Sequence, residues 1–179
     1  DAHNWLFTAR GIPVIYYGSE TGFMRGRAEH AGNRAYFGQE RVDIAPQSPI
    51  FAPLRRIARL RETTPALQRG LQVDVALRGD QAAFYRVYQH GGQAQTALVL
   101  LNKGDAPHRF RVDRYLQAGR WRDALDGGAG EAGRSLEAEV APHDVKVFVL
   151  DAAVTEPALV RQLDLQMQAQ AERDRRDAR

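Results

Sequence analysis

The feature that most constrains the fold is an uninterrupted apolar run at residues 12–17, Ile-Pro-Val-Ile-Tyr-Tyr. Its β-branched and aromatic residues lack polar alternation, a pattern typical of a parallel strand whose two faces are both covered. A parallel strand needs neighbours, each joined to it through a crossover of a dozen or more residues. Only eleven residues precede the run. We therefore expect the chain to enter an α/β fold part-way along its length.

The residues on both sides of this run support the same interpretation. Residues 1–10 carry apolar side chains at helical spacing and predict the last turns of a helix, which Gly11 ends. Residues 18–47 are long, irregular and rich in glycine, which favours a functional loop. Ser48-Pro49 predicts the start of an amphipathic helix that ends before Thr64-Pro65 and places Arg55, Arg56, Arg59 and Arg61 on its solvent face.

Beyond residue 69 the hydrophobic period changes to two, and glycine-containing turns separate short apolar segments. Six to eight strands at this spacing predict a small antiparallel sandwich. From Ala152 the pattern becomes helical again, starting near Pro157, and we expect the end of this helix to fray beyond Gln168. The predicted strands are residues 84–88, 96–101, 109–112, 120–123 and 145–149.

Composition excludes several classes of function. The chain has no cysteine, which removes disulfides, thiol catalysis and cysteine-bound zinc. The formal charge is +3, but the arginines are interspersed with acidic residues, which favours a solvated surface over a nucleic-acid site. No apolar run approaches a membrane span, and no signal peptide is visible, so we expect no membrane partner and leave the compartment open.

No complete active site can be recognised in the sequence. The five histidines show no metal-ligand spacing, and GxSxG, P-loop and GxGxxG motifs are absent, so no catalytic, metal or cofactor residue is predicted. In a β/α barrel the loop after a strand borders the active site. Glu20, three residues past the run, is a candidate that either orients a ligand or anchors the loop. Asn33 and Arg34 offer an amide and a forked donor for vicinal sugar hydroxyls, or a salt bridge that clamps the loop.

Three segments carry a resemblance to a known family. Residues 11–20, Gly-Ile-Pro-Val-Ile-Tyr-Tyr-Gly-Ser-Glu, resemble the eighth barrel strand of the α-amylase superfamily, in which Gly-x-Pro-x-x-Tyr-Tyr-Gly-x-Glu recurs. Residues 57–67 resemble the end of that family's eighth helix, with its Arg and Pro-Ala-Leu, and residues 97–102 resemble part of its domain C.

The resemblance implies a fold that is α/β plus all-β. Residues 1–67 would be the last β/α segment of a (β/α)8 barrel, residues 68–151 the antiparallel β-sandwich of domain C, and residues 152–179 a polar helical tail.

Within the superfamily, cyclomaltodextrinases and cyclodextrin glucanotransferases carry an Asn-Arg pair that binds a donor-side glucose, and Asn33-Arg34 matches it. The acidic residue that precedes the pair is not reproduced, and His30 lies four residues before Arg34. A substrate contact by Arg34 is therefore implied by resemblance, and Asn33, His30 and Glu20 complete the predicted substrate-binding residues.

The implied function is that of a retaining hydrolase or transglycosylase acting on α-1,4-glucans such as maltodextrins, cyclodextrins or starch. The family's three catalytic carboxylates lie before the eighth strand, so we expect this chain alone to be inactive. We expect no cofactor for the chain, while calcium in a longer parent stays open, as does the oligomeric state. Two alternatives remain: a non-catalytic carbohydrate-binding or interaction module, which an exposed aromatic pair on the sheet would favour, and a decayed gene fragment.

Overall fold

The computed structural model of the chain describes residues 1–22 and 38–177. Five helices and two short 3-10 turns, Ser19–Thr21 and Ala45–Gln47, accompany the strands in this part of the chain. The helices are α1 (Ala2–Thr8), α2 (Gln39–Ile44), α3 (Phe51–Glu62), α4 (Pro65–Arg69) and α5 (Pro157–Asp177). No helix among the described residues is long and apolar enough to cross a membrane.

Eight strands form two antiparallel sheets between residues 71 and 150. They are β1 (Leu71–Arg78), β2 (Gln81–His90), β3 (Gln93–Asn102), β4 (His108–Val112), β5 (Gly119–Asp123), β6 (Ala129–Ala132), β7 (Leu136–Val140) and β8 (Asp144–Leu150). The larger sheet has the order β1-β2-β3-β8-β5-β6, and β4 pairs with β7 in the smaller one. The predicted sheet-rich domain is confirmed, and all five predicted strands lie within observed ones.

The central strands of the larger sheet are buried on both faces. On one face, Leu98 and Leu100 pack into a core with the two-stranded sheet and with Leu159 and Leu163 of α5. On the other face, Ala97, Val99 and Leu101 pack against α1, α3 and α4. The large sheet is therefore the middle of three layers, and this explains why β3 is apolar at five of its positions in a row.

The prediction of a paired strand at residues 12–17 is not confirmed by the described residues. The segment is extended but pairs with no strand in residues 1–22 and 38–177, where every strand pair is antiparallel. Ile12 is 88% exposed and Val14 72% exposed, whereas Ile15 packs against the core beneath the helices. The physical reason is that a parallel strand forms its ladder only with neighbours, and the described residues supply none. They therefore contain no barrel.

The helices differ from expectation at three points. The first helix after the loop begins at Phe51, so Pro53 lies in the first turn, where amides have no intrahelical partner. Arg61 is not on the solvent face, because its guanidinium turns inward and leaves the residue only 7% exposed. The last helix continues to Asp177 past the predicted fraying point, Gln168, although every described residue from Met167 onward is exposed.

Candidate functional site

Two buried arginines fix the backbone from which the Ile12–Tyr17 segment starts. Arg61 of α3 donates from Nη1 to the carbonyl oxygen of Phe7 (2.9 Å) and from Nη2 to that of Gly11 (2.5 Å). A longer bond reaches the carbonyl of Ala9 at 3.3 Å. Burial lowers the pKa of Arg61 from its ordinary value. The end of α1 and Gly11, the residue just before the segment, are thereby tied to α3.

Arg86, in the middle of β2, ties the same region to the sheet. The residue is 1% exposed. Its Nη1 donates to the carbonyl of Thr8 at 2.7 Å, and its Nε and Nη2 donate to the carbonyl of Gly70 at 3.3 and 3.0 Å. Burial, with the nearby charges of Arg61 and Arg10, lowers the pKa of Arg86 to about 10.

Neither buried arginine forms a salt bridge within residues 1–22 and 38–177. Backbone carbonyl dipoles alone compensate the two guanidinium charges. Removing Arg86 would take its donors from the buried carbonyls of Thr8 and Gly70, at about 1–3 kcal/mol for each.

Glu20 lies at the far end of the segment, in a turn that places it beside an open cleft. The 3-10 turn is bounded by Gly18 (φ 78°) and Gly22 (φ 65°), and both adopt the left-handed conformation that glycine tolerates best. Thr21 closes the turn by donating from its backbone N–H and its hydroxyl to the carbonyl of Gly18.

The cleft beside Glu20 has a volume of about 560 Å³ and is lined by Ile15, Tyr16, Tyr17, Gly18, Glu20, Val42 and Leu54. We call it the Glu20 cleft. The Glu20 carboxylate makes no hydrogen bond or ion pair with another described residue, so the loop-anchoring alternative is not seen there. A carboxylate in this position can accept hydrogen bonds from ligand hydroxyls.

The other three predicted contacts, His30, Asn33 and Arg34, lie outside the described residues. Their roles stay predictions.

A second set of polar contacts joins the sheet to α3. Lys146 of β8 lies 3.0 Å from Oδ2 of Asp123 and 2.9 Å from Oδ2 of Asp126, and Asp126 also pairs with Arg56 of α3. The hydrogen bond from Lys146 is the main cause that lowers the pKa of Asp126, and the same bond raises the pKa of Lys146. These four residues hold the turn after β5 against the helix layer.

A third contact joins α1 to the loops of the sandwich. The imidazole of His143 lies between two carboxylates, with Nδ1 3.0 Å from Asp1 Oδ2 and Nε2 2.9 Å from Asp105 Oδ1. His143 also has a positive φ of 57° in the turn between β7 and β8. Sequence reasoning did not single out this residue, because no motif surrounds it.

The described strands offer no exposed aromatic pair. Four of the strand aromatics are buried: Phe84, Tyr85, Phe110 and Trp121. The remaining two, Tyr88 and Phe148, are half-buried. In the same part of the chain, no three His, Cys, Asp or Glu side chains gather as a metal-binding group.

No protein-family model matches the chain. Individual proteins are similar to it in sequence. The chain is 29% identical over 102 residues to a cyclomaltodextrin glucanotransferase of Klebsiella oxytoca, covering 55% of this chain and 15% of the relative. It is 26% identical over 125 residues to an α-amylase of Streptomyces lividans, covering 59% of this chain and 14% of the relative. The chain thus spans about a seventh of the length of these relatives.

A solved structure agrees with these relatives. The α-amylase of Geobacillus thermoleovorans, complexed with acarbose, superposes with a TM-score of 0.69 at 24% identity, over 84% of this chain and 32% of that one. At this identity the likeness shows the fold alone. Together with the two sequence relatives, it confirms the resemblance to the C-terminal part of α-amylase-family enzymes.

Proposed function

We propose that this chain, as a relative of α-amylase-family enzymes, forms the C-terminal part of a retaining enzyme acting on α-1,4-glucans such as maltodextrins, cyclodextrins or starch. In this proposal residues 12–17 are the last barrel strand, Glu20 and the loop after it border the substrate cleft, and the two sheets support both. The parent is a hydrolase or a transglycosylase, and its catalytic carboxylates belong to the part before this strand.

The observation that carries the proposal is the state of the Ile12–Tyr17 segment. Its start is held by Arg61 and Arg86, yet Ile12, Val14 and Tyr16 project outward at 88%, 72% and 56% exposure. Burying each such side chain against neighbours would contribute about 1.5–3 kcal/mol. An anchored, extended segment with an apolar outer face and unpaired edges has the properties of a strand that joins a larger sheet.

The chemistry divides between the two parts of the parent. Retention of configuration needs two carboxyl groups about 5 Å apart across the glycosidic bond, and we assign both to the preceding part. At the Glu20 cleft, the carboxylate of Glu20 accepts hydrogen bonds from sugar hydroxyls. His30, Asn33 and Arg34 complete the proposed contacts on the loop, where the forked guanidinium of Arg34 suits two neighbouring hydroxyls.

The first test is the activity of the purified chain with maltoheptaose and β-cyclodextrin, with products separated by anion-exchange chromatography. We expect no turnover. Turnover that the substitution Glu20→Gln abolishes would overturn the division of chemistry.

The second test is a chimera in which residues 1–179 replace the matching part of the Streptomyces lividans α-amylase. We expect a soluble enzyme that hydrolyses maltoheptaose. In this chimera Arg61→Met should lower kcat/KM by about tenfold to a hundredfold, because misplacement of the strand by about 1 Å is enough for such a loss. Arg59→Met, on the same helix but exposed, is the matched control and should have no effect. An equal loss in both variants would argue against the anchoring role.

An exposed aromatic pair on the sheet would have supported the alternative of a non-catalytic carbohydrate-binding or interaction module. The described strands carry no such pair, so this alternative lacks that support.

A further inference from the structure

A second open groove lies between α1 and the strand ends, away from the Glu20 cleft. Its volume is about 570 Å³. It is lined by Asn4 and Trp5 of α1, residues 77–82 around the β1–β2 turn, and residues 101–103 at the end of β3, with Asp1 and Asp144 at its edge. We call it the Trp5 groove. It shares no lining residue with the Glu20 cleft.

We propose that the Trp5 groove binds glucose units of an α-glucan chain at a site separate from the Glu20 cleft. The choice of sugar rests on the proposed function. The existence of the site rests on the geometry of Trp5 and of the polar groups around it.

Trp5 supplies a fixed aromatic surface. Its side chain is 42% exposed, and its ring meets Phe84 edge-on, with centroids 5.5 Å apart and planes at 71°. Phe84 is fully buried in β2, so the indole is braced by the core. A braced ring loses little conformational freedom when a sugar stacks its C–H face on it. The indole N–H has no acceptor among the described residues, and it remains available to a hydroxyl.

The rim of the groove carries planar polar groups. Arg78 and Gln81 make no side-chain hydrogen bond or ion pair with another described residue. Asp80 and Lys103 form a pair at 3.2 Å, with side chains 54% and 64% exposed. Guanidinium, amide and carboxylate groups each present paired donors or acceptors, which match the adjacent hydroxyls of a pyranose.

The charges on the rim decide between a sugar and a protein segment as occupant. The lining combines five charged residues, Asp1, Arg78, Asp80, Lys103 and Asp144, with the apolar side chains of Leu77, Ala82 and Leu101. A packed helix or strand would take these charges out of water at considerable cost, and interface cores are depleted of charged residues. A glucan stacks on the apolar side chains through its C–H groups and leaves the rim hydrated.

The experiment uses the full chain and tryptophan fluorescence. Trp5 and Trp121 are its two tryptophans, and Trp121 is 2% exposed with its Nε1 donating to the carbonyl of Gln117. A ligand-induced emission change therefore reports on Trp5. Maltoheptaose is titrated, with cellohexaose as the β-linked control, and calorimetry supplies an independent affinity.

We expect saturable binding of maltoheptaose that Trp5→Leu weakens by about tenfold, the size of one lost aromatic contact. Leucine keeps an apolar contact with Phe84 but removes the flat surface. Arg78 is exposed and has no side-chain partner among the described residues, so we expect Arg78→Ala to fold normally and to weaken binding severalfold. Leu165→Ala and Arg59→Ala lie outside both clefts and should bind as the wild type does.

Three results would overturn the proposal: no saturable binding by the wild-type chain, unchanged affinity in both Trp5→Leu and Arg78→Ala, or equal affinity for cellohexaose. These outcomes are separable from failure of the proposed function, because that function is tested by hydrolysis in the chimera. An inactive chimera with intact binding at Trp5 would refute only the enzyme proposal.

Discussion

Two apolar runs have opposite fates in this molecule. Residues 97–101 of β3 are all buried, at 8% exposure or less, whereas residues 12–17 form an extended segment with Ile12, Val14, Tyr16 and Tyr17 exposed. The difference lies in the neighbours, because β3 pairs with β2 on one edge and β8 on the other and is covered on both faces. An apolar run therefore indicates the capacity to be a buried strand, and its neighbours decide whether the strand forms.

The anchors of the exposed segment should show the largest effect on stability. Arg86→Met removes the donors to the carbonyls of Thr8 and Gly70. We expect a loss of about 2–6 kcal/mol in the free energy of unfolding, since two buried acceptors lose their partners at about 1–3 kcal/mol each. Urea denaturation measures the loss. The exposed Arg59→Met is the control, and a loss no larger than in that control would show that Arg86 does not hold the segment.

A matched pair of valines tests the comparison directly. Val99→Ala in β3 removes a fully buried side chain and should lower the free energy of unfolding by about 2 kcal/mol, from the lost burial and the cavity. Val14→Ala makes the same chemical change at 72% exposure, and we expect a change within about 0.5 kcal/mol. Similar losses in both variants, measured in urea, would mean that residues 12–17 are packed in solution.

The contact of Lys146 with Asp126, between the sheet and α3, should lose a small part of its stabilising effect at low pH and at high pH. The pKa of Asp126 is held below its ordinary 3.8, so its contribution is present above pH 3.8 and is lost as pH falls through the lowered value. The pKa of Lys146 is raised above 10.5, so its contribution is present below pH 10.5 and is lost as pH rises through the raised value.

Asp126→Asn should flatten the acid limb of a plot of Tm against pH, with a small effect because the Asp126 side chain is 54% exposed. Asp164→Asn, at an exposed position of α5 with no hydrogen bond or ion pair to another described residue, is the matched control. If the fall of Tm at low pH is the same with and without Asp126→Asn, ionised Asp126 does not contribute to the stability of the fold.

The sequence predicted the parts of the fold that local pattern determines. The five predicted strands lie within β2, β3, β4, β5 and β8, because alternation, aromatic content and glycine turns specify strands locally. β6, Ala-Gly-Glu-Ala, could not be found in this way, since it carries no apolar pattern and owes its place to pairing with β5.

The burial of Arg61 and Arg86 could not be predicted from the local sequence pattern. Arg61 follows the spacing of an exposed helix face, and only the carbonyls of Phe7 and Gly11, some 50 residues earlier in the chain, draw it inward. Arg86 has a detectable signal, a charge between Tyr85 and Val87 in an apolar strand, but its partners are equally remote in sequence. Glu20 lies in the turn that follows the segment and lines the cleft there, and its contact with a ligand stays a prediction.

Amide hydrogen exchange, measured on the full chain in its monomeric state, tests the central claim most directly. We expect strong protection of the amides at residues 98–101, because β3 is hydrogen-bonded to β2 and to β8. We expect the amides at residues 14–17 to exchange near the unprotected rate, because this segment pairs with no described strand. In the chimera with the Streptomyces lividans α-amylase, residues 14–17 should become protected. Equal protection of the two segments in the isolated monomer would contradict the conclusion that residues 12–17 stay unpaired without neighbouring strands.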